Sequence, residues 1–259
     1  MPAGRRDASP VTGAAHSTLC PRVRPSEANV VDMGEFVTVS AFRTQDTEAV
    51  RDAVIGFFSA HSWPAEPLHS AGPVTEDDVL IYPPVNGWTV VMWSGYFTEL
   101  AAVEYISRQL GIVTSTVRIH DGDYWSHALL RDGVVLDRFA TMPDYFTDDP
   151  DEIARLRAKY AGQPAVVAEA IGRPVEQVAP YLVQVNLEDG EDEDGYYVDE
   201  PELGKAFPDD EFELDSPWVF VDFWKRLGPR YPEDPSAYLV RIRPASGWSN
   251  KLPTGDAEL

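Results

Sequence analysis

The chain has 259 residues, 44% hydrophobic and 11% aromatic, so it is globular and long enough to bury a core without a metal or disulfide staple. Its 43 acidic residues against 21 basic ones give a net charge of −22, which repels nucleic acid and anionic membranes and favours a basic partner or plain solubility. No run of 18 apolar residues occurs, which excludes a membrane-spanning helix, and a lone cysteine, Cys20, excludes an internal disulfide and a cysteine-rich zinc site.

Residues 1–32, rich in Ala, Pro, Ser and Arg, show neither a period of 2 nor one of 3.6 and read as a disordered extension, with Met33 as the natural start. No apolar stretch follows Arg5 and Arg6, which with the single cysteine fits a cytoplasmic protein. Residues 33–146 read as an α+β sheet domain. Its first strand is Glu35–Arg43, and Asp46 then stands where an N-cap belongs, ahead of a helix with Val50, Val54, Phe57 and Phe58 on one stripe. Pro64, Pro67, Gly72 and Pro73 mark a loop, Val79–Tyr82 a short strand and Trp88–Trp93 a longer one. A second helix runs from about Thr98, with Leu100, Val103, Ile106 and Leu110 on one face and Gly111 as its stop. The two strand-then-helix stretches look like a repeated unit.

The most legible region is a three-stranded meander: Ile112–His120, Asp123–Arg131 and Val134–Phe139, joined by Asp121-Gly122 and Asp132-Gly133. Each dipeptide is a preferred two-residue type I′ loop, because both positions need a positive φ. Beyond it, Asp149-Pro150-Asp151-Glu152 combines a cap, a first-turn proline and acidic first-turn residues, and opens a helical segment, 147–185. Two further short helices there, near 164–171 and 174–184, are parted by Gly172 and Pro174. Residues 186–216 carry 14 carboxylates against the single Lys205 and read as an acidic linker. In 217–259 a helix, Trp218–Leu227, stops at Gly228-Pro229, and a last strand covers Tyr238–Arg243, both packing back on the main domain.

Two-residue loops place 118 opposite 125, 119 opposite 124, 127 opposite 138 and 130 opposite 135. One face then carries Val113, Val117, Ile119, Tyr124, Ala128, Leu130, Val135 and Phe139, and is expected to be the core. The other carries Thr114, Thr116, Arg118, His120, Asp123, Trp125, His127, Arg131 and Arg138, with Leu129, Val134 and Leu136 toward one end. On this face Arg118 would stack on Trp125, and Arg138 would hold His127 neutral. Arg118, Trp125, His127 and Arg138 are therefore the candidate set for a small molecule or an anion, with Arg118, Arg131 and Arg138 offering donors to an anion and Trp125 a flat stacking surface. The competing reading is structural: the later helices, or the acidic segment, cover this face.

Other motifs carry less. His120, Asp123 and His127 are weak metal candidates, since neighbouring arginines oppose a divalent cation and Asp-Gly-Asp is ordinary turn chemistry. Ala168, Gly172 and Val178 have helix-turn-helix spacing, but Glu176, Pro180 and the lack of a basic residue after Arg173 make this a packing unit and not a DNA reader. No phosphate-binding loop, dinucleotide fingerprint or nucleophile elbow occurs, and no cofactor is implied.

The sequence thus predicts an α+β fold, a mostly antiparallel sheet with two strand–helix units and a three-stranded meander, followed by a small helical segment. In function it points first to a non-enzymatic interaction protein for a basic partner, of the kind an immunity protein represents. The alternatives are an anion-binding domain on the meander face, and an enzyme using His120, Asp123 and His127.

Overall fold

A computed structural model describes residues 36–68, 73–75, 77–93, 100–185 and 203–245. The expected extension 1–32, the start of the second helix near Thr98, and residues 186–202 of the acidic segment lie outside the described residues.

The fold is α+β, built on one eight-stranded sheet: β1 Val37–Phe42, β2 Ala65–Leu68, β3 Val79–Ile81, β4 Thr89–Met92, β5 Val113–His120, β6 Tyr124–Arg131, β7 Val134–Ala140 and β8 Val240–Pro244. Their order across the sheet is β2-β8-β3-β4-β1-β5-β6-β7, and every neighbouring pair is antiparallel. No helix among the described residues is long and apolar enough to cross a membrane.

Helices cover both faces. Helix α1, Thr47–Ala60, begins at Asp46, whose carboxylate accepts the Ala49 N–H at 2.9 Å. It packs with α2, Leu100–Leu110, and their residues Val50, Val54, Phe57, Phe58, Val103 and Ile106 bury Phe42, Ile81, Val91, Leu130 and Ile242 of the sheet. The second hairpin turn is pressed under α2. A Cβ on Gly133 would lie 2.7 Å from the Arg108 Cβ and 2.8 Å from the Glu104 carbonyl, and φ there is +75°, so only glycine fits.

The opposite face is covered by α4, Pro164–Ile171, by α5, Phe220–Leu227, and by two short 3-10 turns, Val175–Gln177 and Ala179–Tyr181. These turns stand where a helix over 174–184 was expected, since Pro180 removes a backbone donor. Helix α3, Pro150–Lys159, is capped by Asp149 and packs at the β7 end through Leu156 and Tyr160 against Ala140. β8 enters between β2 and β3. β2 itself was expected to be loop because of Pro64 and Pro67; a proline cannot donate to a ladder, and β2 is accordingly the sheet edge.

Residues 203–216, from the segment expected to be a linker, lie on the covering layer. Ala206, Phe207, Phe212 and Leu214 pack against the core while Asp209, Glu211, Glu213 and Asp215 face outward. Buried Asp222 of α5 fastens this segment, accepting the Glu211 and Phe212 N–H groups at 2.7 and 2.9 Å. Arg226 binds Asp209 and Asp210, each at 2.6 Å. Asp222→Ala removes two charge-assisted bonds and leaves both donors unpaired, so a loss of about 3 kcal/mol in a urea titration is expected, with faster proteolysis within 203–216. An unchanged midpoint and unchanged cleavage would show the segment to be held by its apolar side chains alone.

Candidate anion-binding site

The turns of the meander form as expected, with positive φ at Asp121, Gly122, Asp132 and Gly133. The register does not. After the first turn the ladder restarts one residue late, pairing His120 with Tyr124, Ile119 with Trp125, Arg118 with Ser126 and Val117 with His127. Asp123 stays outside the ladder, where its carboxylate accepts the Tyr145 hydroxyl at 2.6 Å. A one-residue shift reverses the face of every β6 side chain. Trp125, fully buried, thereby joins Val117, Ile119, Leu129 and Phe139 under α5, a burial worth roughly 5 kcal/mol for a tryptophan-sized surface.

A second irregularity follows in the β6–β7 ladder. Leu130 pairs with Val135 but Leu129 with Asp137, so Leu136 is an inserted residue, a β-bulge. Beyond it His127 faces Phe139, and Arg138 faces Ala128. The two expected cross-strand pairs, Arg118 with Trp125 and His127 with Arg138, therefore do not form. Trp125 and His127 lie on the α5 side, whereas Arg118, Arg138 and His120 lie on the α1/α2 side. The expected core face was likewise mixed, since Tyr124, Ala128 and Leu130 are on the side opposite Val117, Ile119 and Phe139. Arg131, expected on the basic face, donates to the Ala170 carbonyl of α4 at 3.1 Å.

His127 is a core histidine. The Trp224 indole N–H donates to the Ser115 Oγ at 2.9 Å, and the same Oγ is hydrogen-bonded to His127 Nε2, also at 2.9 Å. The edge of Phe223 closes the site, and burial alone drives the His127 pKa down to about 3. Its neutrality is thus as expected, but its cause is desolvation and not Arg138. The weak metal set is separated for the same reason: His127 is across the sheet from His120, and no group of three His, Cys, Asp or Glu able to hold a metal occurs among the described residues.

What the structure does bring together is Arg118 and Arg138. They flank β6 from β5 and β7, opposite Ser126 and Ala128, which places their Cα atoms roughly 12 Å apart over two strand spacings and a two-residue offset. The small Ser126 and Ala128 leave a crevice between them of about 40 Å³, open to solvent. Thr38 and Thr116 line one side, with Leu100 and Tyr160 from the ends of α2 and α3 above.

The polar groups of this crevice are under-used. Thr38 is 6% exposed, yet its Oγ1 has no partner, nor does the Arg118 Nε. Arg118 lies against the buried Tyr124 hydroxyl. Among the described residues neither the Arg118 nor the Arg138 guanidinium has an ion pair. The other half-buried arginines, Arg51, Arg157, Arg226 and Arg243, each hold a carboxylate. Arginine cannot shed its proton, so the crevice keeps two positive charges that only an anion can neutralise.

Next along β5, His120 sits among Phe36, Tyr124, Tyr145 and Phe146, at ring-centroid distances of 5.0–5.8 Å. Burial, assisted by Arg118, lowers the His120 pKa, and the bond to Asp123 pushes Tyr145 up to about 12. These aromatics were legible as the Pro143-Asp-Tyr-Phe146 stretch but carried no signal of partnership with the meander. A larger cleft, of about 390 Å³, lies between Tyr82, Pro83, Val85, Val90 and the 230–237 loop. Its walls are mostly apolar, and the Tyr82 hydroxyl is already committed to the Pro235 carbonyl at 3.0 Å.

No family model, curated protein or solved structure matches the chain.

The buried histidine gives a signed pH dependence. The unfolded chain protonates this imidazole below about pH 6.5 and the folded one only near 3, so acidification through this window favours unfolding by about 1.4 kcal/mol per pH unit. In His127→Gln the stability lost between pH 7.5 and 5.0 is expected to shrink by about 2 kcal/mol in paired denaturation curves. Equal losses in both proteins would mean that His127 titrates normally.

Proposed function

We propose that this chain is a binding protein whose ligand presents a small oxyanion to the Arg118–Arg138 crevice. The observation that supports this reading is the pair of half-buried guanidiniums without counter-ions, in a chain where carboxylates outnumber basic residues two to one. Thr38 and Ser126 offer hydroxyl donors to the same anion. Trp125 and His127 leave the ligand set and act from beneath, as packing that fixes β6.

The test is thermal unfolding at low ionic strength with inorganic phosphate, sulfate and acetate. An anion a hundredfold above its Kd stabilises by about 2.7 kcal/mol, or about 5 °C in a domain of this size. Arg118→Ala and Arg138→Ala are each expected to abolish that shift, while the unliganded Tm stays level or rises as like-charge repulsion is relieved. Equal stabilisation of wild type and both variants, or none in any, would sink the proposal.

A second reading is the interaction with a basic protein, as an immunity-type inhibitor makes. It is supported by the outward row of Asp209, Glu211, Glu213 and Asp215 on a segment that Asp222 and Arg226 hold in place. A fixed row of carboxylates steers a basic surface more effectively than a free linker does. Replacing Glu211, Glu213 and Asp215 together with lysine is expected to remove low-salt capture of a basic protein from native lysate. Capture that is insensitive to both salt and this replacement would count against the reading.

A further inference from the structure

We infer that the crevice between Arg118 and Arg138 reads a doubly charged tetrahedral oxyanion, of the phosphate or sulfate kind, and not a carboxylate. The inference rests on the anion-binding reading above and names the class of ligand.

The register sets out the donors. Thr38, Arg118 and Ser126 stand opposite one another on β1, β5 and β6. Ser40, Thr116, Ala128 and Arg138 form the next row of the same face, two residues or about 7 Å along. Arg118 and Arg138 are thus diagonal across the small pair Ser126 and Ala128. In the second row Ser40 and Thr116 are spent on each other, at 2.8 Å. In the first row the Thr38 Oγ1 and the Arg118 Nε are buried and have no partner. Thr38 is 6% exposed, and both residues line the crevice.

Three properties of this set exclude a carboxylate as the best fit. The first is direction. A planar carboxylate is satisfied by the fork of one arginine, whereas two arginines and a hydroxyl on separate strands suit oxygens spread in three dimensions. The second is size. A space of about 40 Å³ holds about three water-sized atoms, which places three oxygens of a tetrahedral ion inside and turns the fourth to the open side. The third is charge. Both guanidiniums are permanent cations, and a carboxylate neutralises only one of them. None of the described residues lining the crevice is acidic, and Leu100, Val117 and Phe139 make part of its wall apolar, which strengthens the attraction for a dianion.

The experiment is calorimetric titration of the full chain at low ionic strength with sulfate, inorganic phosphate and acetate. At pH 7.5 sulfate and phosphate are each expected to bind at least about tenfold tighter than acetate, and their ratio identifies the preferred ion. At pH 5.5, where phosphate is singly charged, its affinity is expected to fall several-fold while that of sulfate holds. Titration of the protein's own side chains, His120 included, acts on both ions alike, so the change in ratio reports the charge of the ligand. Thr38→Val keeps the shape of the side chain and removes the unpartnered hydroxyl. It is expected to weaken sulfate about tenfold while the unliganded Tm stays level or rises. Acetate within threefold of sulfate at pH 7.5, equal weakening of phosphate and sulfate at pH 5.5, or unchanged sulfate affinity in Thr38→Val would overturn the inference and leave the anion reading in place. Failure of all three ions to bind would overturn both.

Discussion

Burial of Trp125 beneath α5 sets the register of the meander, and both faces of the sheet depend on it. Type I′ geometry at Asp121-Gly122 would also accept pairing of His120 with Asp123, but that register would turn Trp125 away from Phe139 and Phe223 and leave a void under α5. The hydrogen-bond chain from Trp224 through Ser115 to His127 locks the same alignment from the other side. Once β6 is placed, the bulge at Leu136 compensates on β7. Without it Arg138 would face His127, a cation aimed into an apolar layer; with it Arg138 returns to the side of Arg118. The crevice is a consequence of these two shifts taken together.

The distribution of ion pairs gives that crevice its meaning. Carboxylates are abundant, and the fold spends several on internal tasks: Asp210 and Asp222 bind backbone and side chains of the covering layer, Asp144 holds Arg157, and Asp78 holds Arg243. The other half-buried arginines among the described residues hold carboxylates, and Arg118 and Arg138, on the strands either side of β6 and on the same face, do not. On the anion-binding reading proposed above, their charges stand out against a largely negative molecule and would draw an anion to this crevice.

The acidic segment shows how the same residue type can serve two ends. In residues 203–216 the apolar side chains Phe207, Phe212 and Leu214 dock on the core, and the intervening carboxylates are thereby displayed in a row. Docking converts a run of charge that would repel itself in a free chain into a defined surface, at the expense of the buried Asp222 and the half-buried Arg226 that tie it down.

What the sequence by itself determined was local: the Asp46 and Asp149 caps, the stripes of α1 and α2, the two left-handed Asp-Gly turns and the sheet-rich α+β class. Each of these is written within a few residues, in a cap, a period or a positive φ. The tertiary structure decided the rest. Which face Trp125 and His127 occupy, whether Leu136 is inserted, whether Pro67 lies in an edge strand and where residues 203–216 dock are all settled by partners that are distant in sequence. A strand can shift by one residue with its local preferences unchanged, so only burial against α4 and α5, contributed from residues 164–227, selects between registers that the meander alone leaves close in energy.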